Sequence, residues 1–257
     1  MTHQDKILTS INLIKEYANL AEKGGGYVIG FSGGKDSAVL HQLFKEAGVP
    51  FRSVYNVTTN DPPENVRFIR SQYPDVEFSF PRLNLFKLIE KKGMLPTMNA
   101  RYCCSYYKES YKGFMALGVR REESAKRAGY DTIKLNNHKK FDKGNYNGQH
   151  VRFYPILDWT EADVWEFMEE RGLPVNPLYD TFGRVGCMLC PFANKRQILY
   201  WLNQYPKLRM MLIKTIQKLI DKGHYNKYNP TADQVLEWWI SKENYDKYFG
   251  QLKLTFA

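Results

Sequence analysis

Ser32-Gly33-Gly34-Lys35-Asp36-Ser37 constrains what this chain can fold into more than any other stretch. It follows a short apolar run, Tyr27 to Phe31. It precedes Ala38, Val39, Leu40, Leu43 and Phe44 at helical spacing. That order predicts strand, tight turn, helix. A Gly-Gly turn opening a helix offers several backbone N–H groups to one anion, and the helix N-terminus adds a favourable dipole. Lys35 adds a full positive charge. The stretch is not a Walker A loop, which needs Gly, four residues, then Gly-Lys-Ser/Thr. The Gly-x-Gly-x-x-Gly of a dinucleotide fold is also missing from this turn. An ordinary βα turn that uses glycine for positive φ is the plain alternative.

Strand and helix patterns alternate around this turn: Tyr27–Phe31, Ala38–Ala47, Ser53–Val57, Glu64–Gln72, Val76–Phe78 and Leu85–Lys91. Such βαβα order predicts an α/β fold, an open and mostly parallel sheet with helices on both faces. A further strand, Gly113–Val119, would deliver Arg120 at its C-terminal end. Ligands gather at those ends in open α/β sheets, so Ser32, Thr58 and Arg120 are expected to converge. Asp5 to Lys23 reads as one amphipathic helix closed by Gly24-Gly25-Gly26. Thr160 to Arg171 reads as a helix with a Thr160–Asp163 capping box and Gly172 at its far end. Asn194 to Lys222 reads as a long helix or a helix pair, and Thr231 caps another through Ile240. The expected organisation is an α/β domain over 1–192 and a C-terminal helical extension over 193–257.

The cysteines fall in two compact pairs, Cys103-Cys104 and Cys187-Met188-Leu189-Cys190. Four soft thiolates suit an iron–sulfur cluster or a structural zinc. Disulfides are disfavoured on the expectation of a reducing cytoplasm, since Met1 to Ser10 is polar and holds no signal-like apolar core. Unrelated buried thiols are the bland reading. An adjacent Cys-Cys is awkward for one tetrahedral ion.

Ser-Gly-Gly-x-Asp-Ser after a strand resembles the pyrophosphate loop of the N-type ATP pyrophosphatases, the PP-loop superfamily with its adenine nucleotide alpha-hydrolase-like fold. Cys-Cys, a long gap, then Cys-x-x-Cys resembles the 4Fe–4S ligand set of assimilatory adenylyl-sulfate reductases. Both motifs point to the adenylyl-sulfate and phosphoadenylyl-sulfate reductase family. Thr58-Thr59-Asn60-Asp61-Pro62-Pro63-Glu64 sits where that family carries its adenosine-side loop. Arg101-Tyr102-Cys103-Cys104 with Lys108 resembles its cluster-and-cation segment. Gly118-Val119-Arg120-Arg121-Glu122-Glu123-Ser124 with Arg127 resembles its substrate-facing segment. Tyr154 to Thr160 and Asp163-Val164-Trp165 resemble its later helix entry.

The resemblance implies cleavage of ATP between its α- and β-phosphates, with Lys35, Asp36 and Arg120 in catalytic roles. Ser32, Gly33, Gly34, Ser37, Thr58, Asp61, Gly118, Arg127 and Lys108 would bind the nucleotide. Asp36 is expected to place Mg²⁺, because an anion beside phosphate is costly without a cation between them. Cys103, Cys104, Cys187 and Cys190 would hold a 4Fe–4S cluster, with zinc as runner-up.

The last cysteine is Cys190. The sulfonucleotide reductases carry a separate C-terminal cysteine that attacks the substrate sulfur. Three functions are therefore carried forward. The first is an adenylating pyrophosphatase for sulfur transfer, with a nucleic acid as one acceptor class, as in DNA phosphorothioation-type members. The second is a reductase of (phospho)adenylyl sulfate that uses an external thiol. The third is a non-catalytic nucleotide-binding partner subunit. The partners implied are an adenine nucleotide, a nucleic-acid acceptor and a sulfur donor or thiol protein, with a homo-oligomer left open.

The 37 Lys and Arg against 27 Asp and Glu give a formal charge of +10. That surplus suits a polyanion, or simply a basic protein. No run approaches the ~18 apolar residues of a membrane span. Lys134 to Arg152, with Lys139, Lys140, Lys143, His138 and His150, reads as a basic loop or loose hairpin near the site, or as a solvated insertion. Trp201, Tyr205, Trp238, Trp239, Tyr245, Tyr248 and Phe249 could stack bases, but core packing accounts for most of them more cheaply.

Overall fold

The computed structural model describes residues 1–108, 113–135 and 150–255. The chain divides into two compact units, each built from separate stretches. The first holds Met1–Val57, Pro63–Phe80 and Lys108–Val185, and the second Thr58–Pro62, Pro81–Tyr107 and Gly186–Ala257. The division does not fall at residue 192. Both cysteine-bearing segments and the Thr58–Pro62 loop belong with the C-terminal helices, because Tyr107, Leu189 and Ala193 are buried in the same apolar core as those helices.

The first unit is an α/β sheet. Its strands are β1 (Tyr27–Phe31), β2 (Phe51–Asn56), β3 (Glu77–Ser79), β4 (Phe114–Ala116), β5 (Ile133–Leu135) and β6 (Val151–Phe153). The order across the sheet is β3-β2-β1-β4-β6-β5. All neighbours are parallel except the β5–β6 edge pair. Its helices are α1 (His3–Glu16), α2 (Ala18–Lys23), α3 (Lys35–Ala47), α4 (Pro63–Gln72), α7 (Ala125–Ala128), α8 (Glu161–Glu170) and α9 (Leu178–Phe182).

Period-2 alternation puts Tyr27 and Ile29 of β1 on one face. There they meet Leu40, Leu43 and Phe44 of α3, Ile7 and Ile14 of α1, and Phe167 of α8. Full burial of each such side chain contributes about 1.5–3 kcal/mol, so this face fixes where α3 begins. Phe31 and Tyr55 form a second cluster with Ile69 of α4, Tyr73 and Val76.

Three expectations change. The N-terminal helix breaks at Tyr17, which turns its ring onto Phe114 and Phe153 rather than continuing the helix. Strand β4 stops at Ala116, so Arg120 leaves an irregular segment whose Leu117 N–H bonds Phe153 O. The expected basic loop is flanked by two strands, β5 and β6, while its residues 136–149 lie outside the described residues. The capping box at Thr160 and the left-handed Gly172 (φ +57) are present as expected.

The second unit is helical: α5 (Leu85–Lys92), α6 (Tyr102–Lys108, its last residue counted with the first unit), α10 (Lys195–Gln204), α11 (Pro206–Asp221), α12 (Ala232–Ser241) and α13 (Tyr245–Thr255). The stretch from Asn194 is a pair of helices, separated at Tyr205 because Pro206 starts a new helix but cannot continue one. Leu88, Leu202, Ile216, Val235 and Trp239 are buried in its core. Tyr225, Trp238, Tyr245 and Phe249 pack ring against ring, so these C-terminal aromatics serve the core. No helix among the described residues is long and apolar enough to cross a membrane.

Candidate functional site: a phosphate loop and a cysteine cluster

The loop at Ser32–Ser37 joins the C-terminal end of β1 to the first turn of α3. Gly33 has φ +78, where a side chain is strained. A Cβ there would lie 2.3 Å from Asn65 Oδ1. The loop closes on itself: Ser37 Oγ donates to Gly34 O at 2.8 Å, and Ser32 N–H donates to Ser37 Oγ at 3.2 Å. Two buried asparagines brace it from outside. Asn65 Nδ2 donates to Ser32 O at 3.1 Å, and Asn176 Nδ2 donates to Gly33 O at 3.0 Å and to Asn65 Oδ1 at 2.7 Å.

Charges are arranged in alternation around the loop. Lys35 Nζ lies 3.2 Å from Glu161 Oε1 and 3.4 Å from Asp36 Oδ2. Arg120, 4% exposed, donates Nε–H to Asp36 Oδ1 and Nη1–H to Glu122 Oε2, both at 2.7 Å. Glu122 Oε2 also accepts the Glu161 N–H at 2.7 Å. Gly118 lies so close to this helix start that a Cβ would meet Asp36 O at 2.7 Å. Tyr179 Oη accepts the Lys35 N–H at 2.9 Å, and its phenol pKa is raised by burial. Trp165 and Tyr179 present their rings to Lys35 Nζ at 5.9 and 5.6 Å.

The first unit therefore brings together Ser32, Gly33, Gly34, Lys35, Asp36, Ser37, Gly118 and Arg120. Arg127 is engaged by Glu123, the residue that also accepts the Arg120 N–H. Lys108 is the exposed last residue of α6. The sequence reading missed Asn65, Asn176, Tyr179 and Glu161. Each lies at least 30 positions from Lys35, and no local pattern ties any of them to the loop.

In the second unit Thr58 and Asp61 form a tight turn: Thr58 donates its N–H and hydroxyl to the Asp61 carboxylate at 2.7 and 2.8 Å. Thr58 Oγ1 lies 3.6 Å from Cys187 Sγ. Buried Asn60 holds the Cys-x-x-Cys loop, accepting Met188 N–H on its carbonyl and Leu189 N–H on its side chain. All four cysteines are half-buried. The Cys103 thiol is pushed up by its hydrogen bond to Cys104, then by burial, then by the charges of Cys104 and Cys187. Four soft sulfur donors in one compact unit fit a thiolate-bound metal group. Among the described residues, no three cysteine sulfurs lie within 4.8 Å of one another. Lys242 Nζ, its pKa lowered by burial, donates to Pro191 O at 2.8 Å, one residue beyond Cys190.

A family model described as the phosphoadenosine phosphosulfate reductase domain matches residues 26–193. An uncharacterized protein of Methanocaldococcus jannaschii is 29% identical over 214 residues, covering 77% of this chain and 50% of that one. The adenosine 5′-phosphosulfate reductase of Bacillus pumilus is 28% identical over 159 residues, covering 58% of this chain and 61% of the enzyme. The chain thus spans only half to three fifths of the length of these two relatives. A crystal structure of phosphoadenylyl-sulfate reductase from Candida auris aligns with a TM-score of 0.46 at 16% identity, covering 63% of this chain and 80% of that one. The matched span runs from the residue before β1, through the Ser32–Ser37 loop and the Arg120 segment, to just past the second cysteine pair, and on that ground the chain belongs to the phosphoadenosine phosphosulfate reductase domain family.

Proposed function

We propose that the chain is an ATP pyrophosphatase that adenylates an acceptor for sulfur transfer, with nucleic acid as one acceptor class. The observation that carries this reading is the Asp36 carboxylate within the anion cradle, beside the Lys35 ammonium and the Arg120 guanidinium. A carboxylate at a phosphate site is repulsive unless a divalent cation lies between them, and Mg²⁺ accompanies a nucleoside triphosphate. In this reading the Gly33–Ser37 loop and Lys35 hold the leaving pyrophosphate. Arg120 takes up charge that develops at the α-phosphate. Asp36 is the residue that would hold Mg²⁺, which offsets the charge on the polyphosphate when bound.

Cys103, Cys104, Cys187 and Cys190 would hold a 4Fe–4S cluster. Two compact cysteine pairs in one unit support this assignment, since four soft thiolates are the ligand set of such a cluster. The cluster supplies redox or sulfur-binding chemistry when bound. The reductase reading has its own support in the similarity to a reductase named for adenosine 5′-phosphosulfate.

The test separates the two. ATP with α-phosphate label, Mg²⁺ and oligonucleotide or tRNA should yield pyrophosphate and labelled acceptor, and AMP once an added sulfide-level donor displaces it. Lys35→Ala should lower that rate about 10²–10³-fold. Sulfite from adenylyl sulfate and a thiol, with no turnover of ATP, would replace this proposal with the reductase.

A further inference from the structure

We propose that Tyr179 and Glu161 form a two-point latch on the phosphate loop, which a polyphosphate must open in order to bind. This rests on the reading of the loop as a phosphate site. Lys35 is the first residue of α3, and its amide is one of the donors a helix N-terminus offers to an anion. That amide is taken: its N–H donates to Tyr179 Oη at 2.9 Å. Its side chain is taken as well, with Nζ 3.2 Å from Glu161 Oε1. The phenol oxygen and one carboxylate oxygen thus stand at two of the donors a phosphate would use.

Neither group is placed casually. Asn176, 2% exposed, ties the backbone just before Tyr179 to Gly33 O and Asn65 Oδ1, and its own Oδ1 accepts the Leu178 N–H at 3.0 Å. Tyr179 also meets Trp165 edge to face, with centroids 5.2 Å apart. A Cβ at Gly34 would lie 3.2 Å from Tyr179 Oη, so the phenol lies directly over the loop. Glu161 is held at the backbone, where its N–H donates to Glu122. The phenol is a neutral acceptor with one oxygen, whereas a phosphate brings several oxygens and full charge to the same donors. The latch keeps the Lys35 amide satisfied in the free protein and yields to the stronger anion.

The two points act on different atoms of Lys35, and that makes the idea testable. Inorganic pyrophosphate affinity is measured by calorimetry for the wild type, Tyr179→Phe and Glu161→Gln, each with and without Lys35→Ala. Tyr179→Phe keeps the ring and removes the acceptor, so pyrophosphate should bind about fivefold tighter. That gain should persist in Lys35→Ala, which retains the backbone N–H. Glu161→Gln should tighten binding by up to about fivefold, less at high salt because the carboxylate is largely exposed, and only when the Lys35 side chain is present. A merely structural tyrosine would lower thermal stability and leave affinity flat or weaker. Wild-type binding with no gain in Tyr179→Phe would overturn the latch alone. Pyrophosphate binding to none of the proteins would overturn the phosphate-site reading and the latch with it.

Discussion

Gly33→Ala should destabilise the first unit by about 2–5 kcal/mol, while Gly34→Ala next to it should cost under about 1 kcal/mol. The difference follows from backbone and neighbours, not composition. Gly33 has φ +78, where an L side chain costs about 1–2 kcal/mol. Its new methyl would meet Asn65 Oδ1 at 2.3 Å and two Ile69 carbons at 3.0 Å. Ile69 is fully buried and Asn65 is 3% exposed, so neither can retreat into solvent. Overpacking of that kind adds about 1–3 kcal/mol. Pushing Asn65 aside also strains its bonds to Ser32 O, Tyr55 Oη and Asn176 Nδ2. Gly34 by contrast has φ −92, and its nearest neighbour would be Tyr179 Oη at 3.2 Å, the end of a side chain. Urea unfolding of both variants, followed by circular dichroism, measures the difference directly. Pyrophosphate titration of each then reports whether the loop keeps its shape. Equal stability of the two variants would refute the reasoning, because it would mean that Gly33 is not held against Asn65 and Ile69.

Asn176→Ala removes the partner of Gly33 O, Asn65 Oδ1 and the Leu178 N–H, all in a buried setting. A loss of about 2–4 kcal/mol is expected in denaturant titration, and a loss within 0.5 kcal/mol, on the order of an ordinary surface change, would deny the brace. His41 is buried among Phe31, Phe51 and Tyr73, and burial lowers its pKa to about 4 from about 6.5. A depressed folded value means this stability is fully present above pH 6.5 and is lost as pH falls through 6.5 toward 4. The total is about 3 kcal/mol, and His41→Phe should flatten that part of the stability–pH curve. Anaerobically purified protein should be brown, absorb near 400 nm and hold about four irons per chain, with iron lost on Cys190→Ala. Colourless protein with one zinc would refute the cluster.

The sequence was legible wherever a signal was local. The strand–turn–helix around Gly33 and Gly34 needs only an apolar run, two glycines and a 3.6-residue repeat. The box at Thr160 needs residues three apart and the cap at Thr231 a single side chain, and both are present. Signals that depend on distant neighbours were lost. Tyr17 ends a helix because two aromatic rings wait beside it, and no residue near Tyr17 says so. The short strands β5 and β6 carry only three residues each, too few for a period-2 pattern to stand out.

By itself the sequence determined the strand, glycine turn and helix around Ser32–Ser37, the parallel α/β frame that holds them and the two paired-cysteine segments. Each of these rests on residues adjacent in the chain, where backbone geometry and side-chain chemistry act directly. Only the tertiary structure decided what surrounds the cradle. It set Arg120 between Asp36 and Glu122, and it laid Tyr179 and Glu161 on Lys35. It also joined the cysteine segments to the helical core rather than to the sheet. The pairings of Arg120 with Asp36 and of Tyr179 and Glu161 with Lys35 cross from 84 to 144 positions, and they are fixed by which apolar faces pack together, a property of the whole fold that no short stretch encodes.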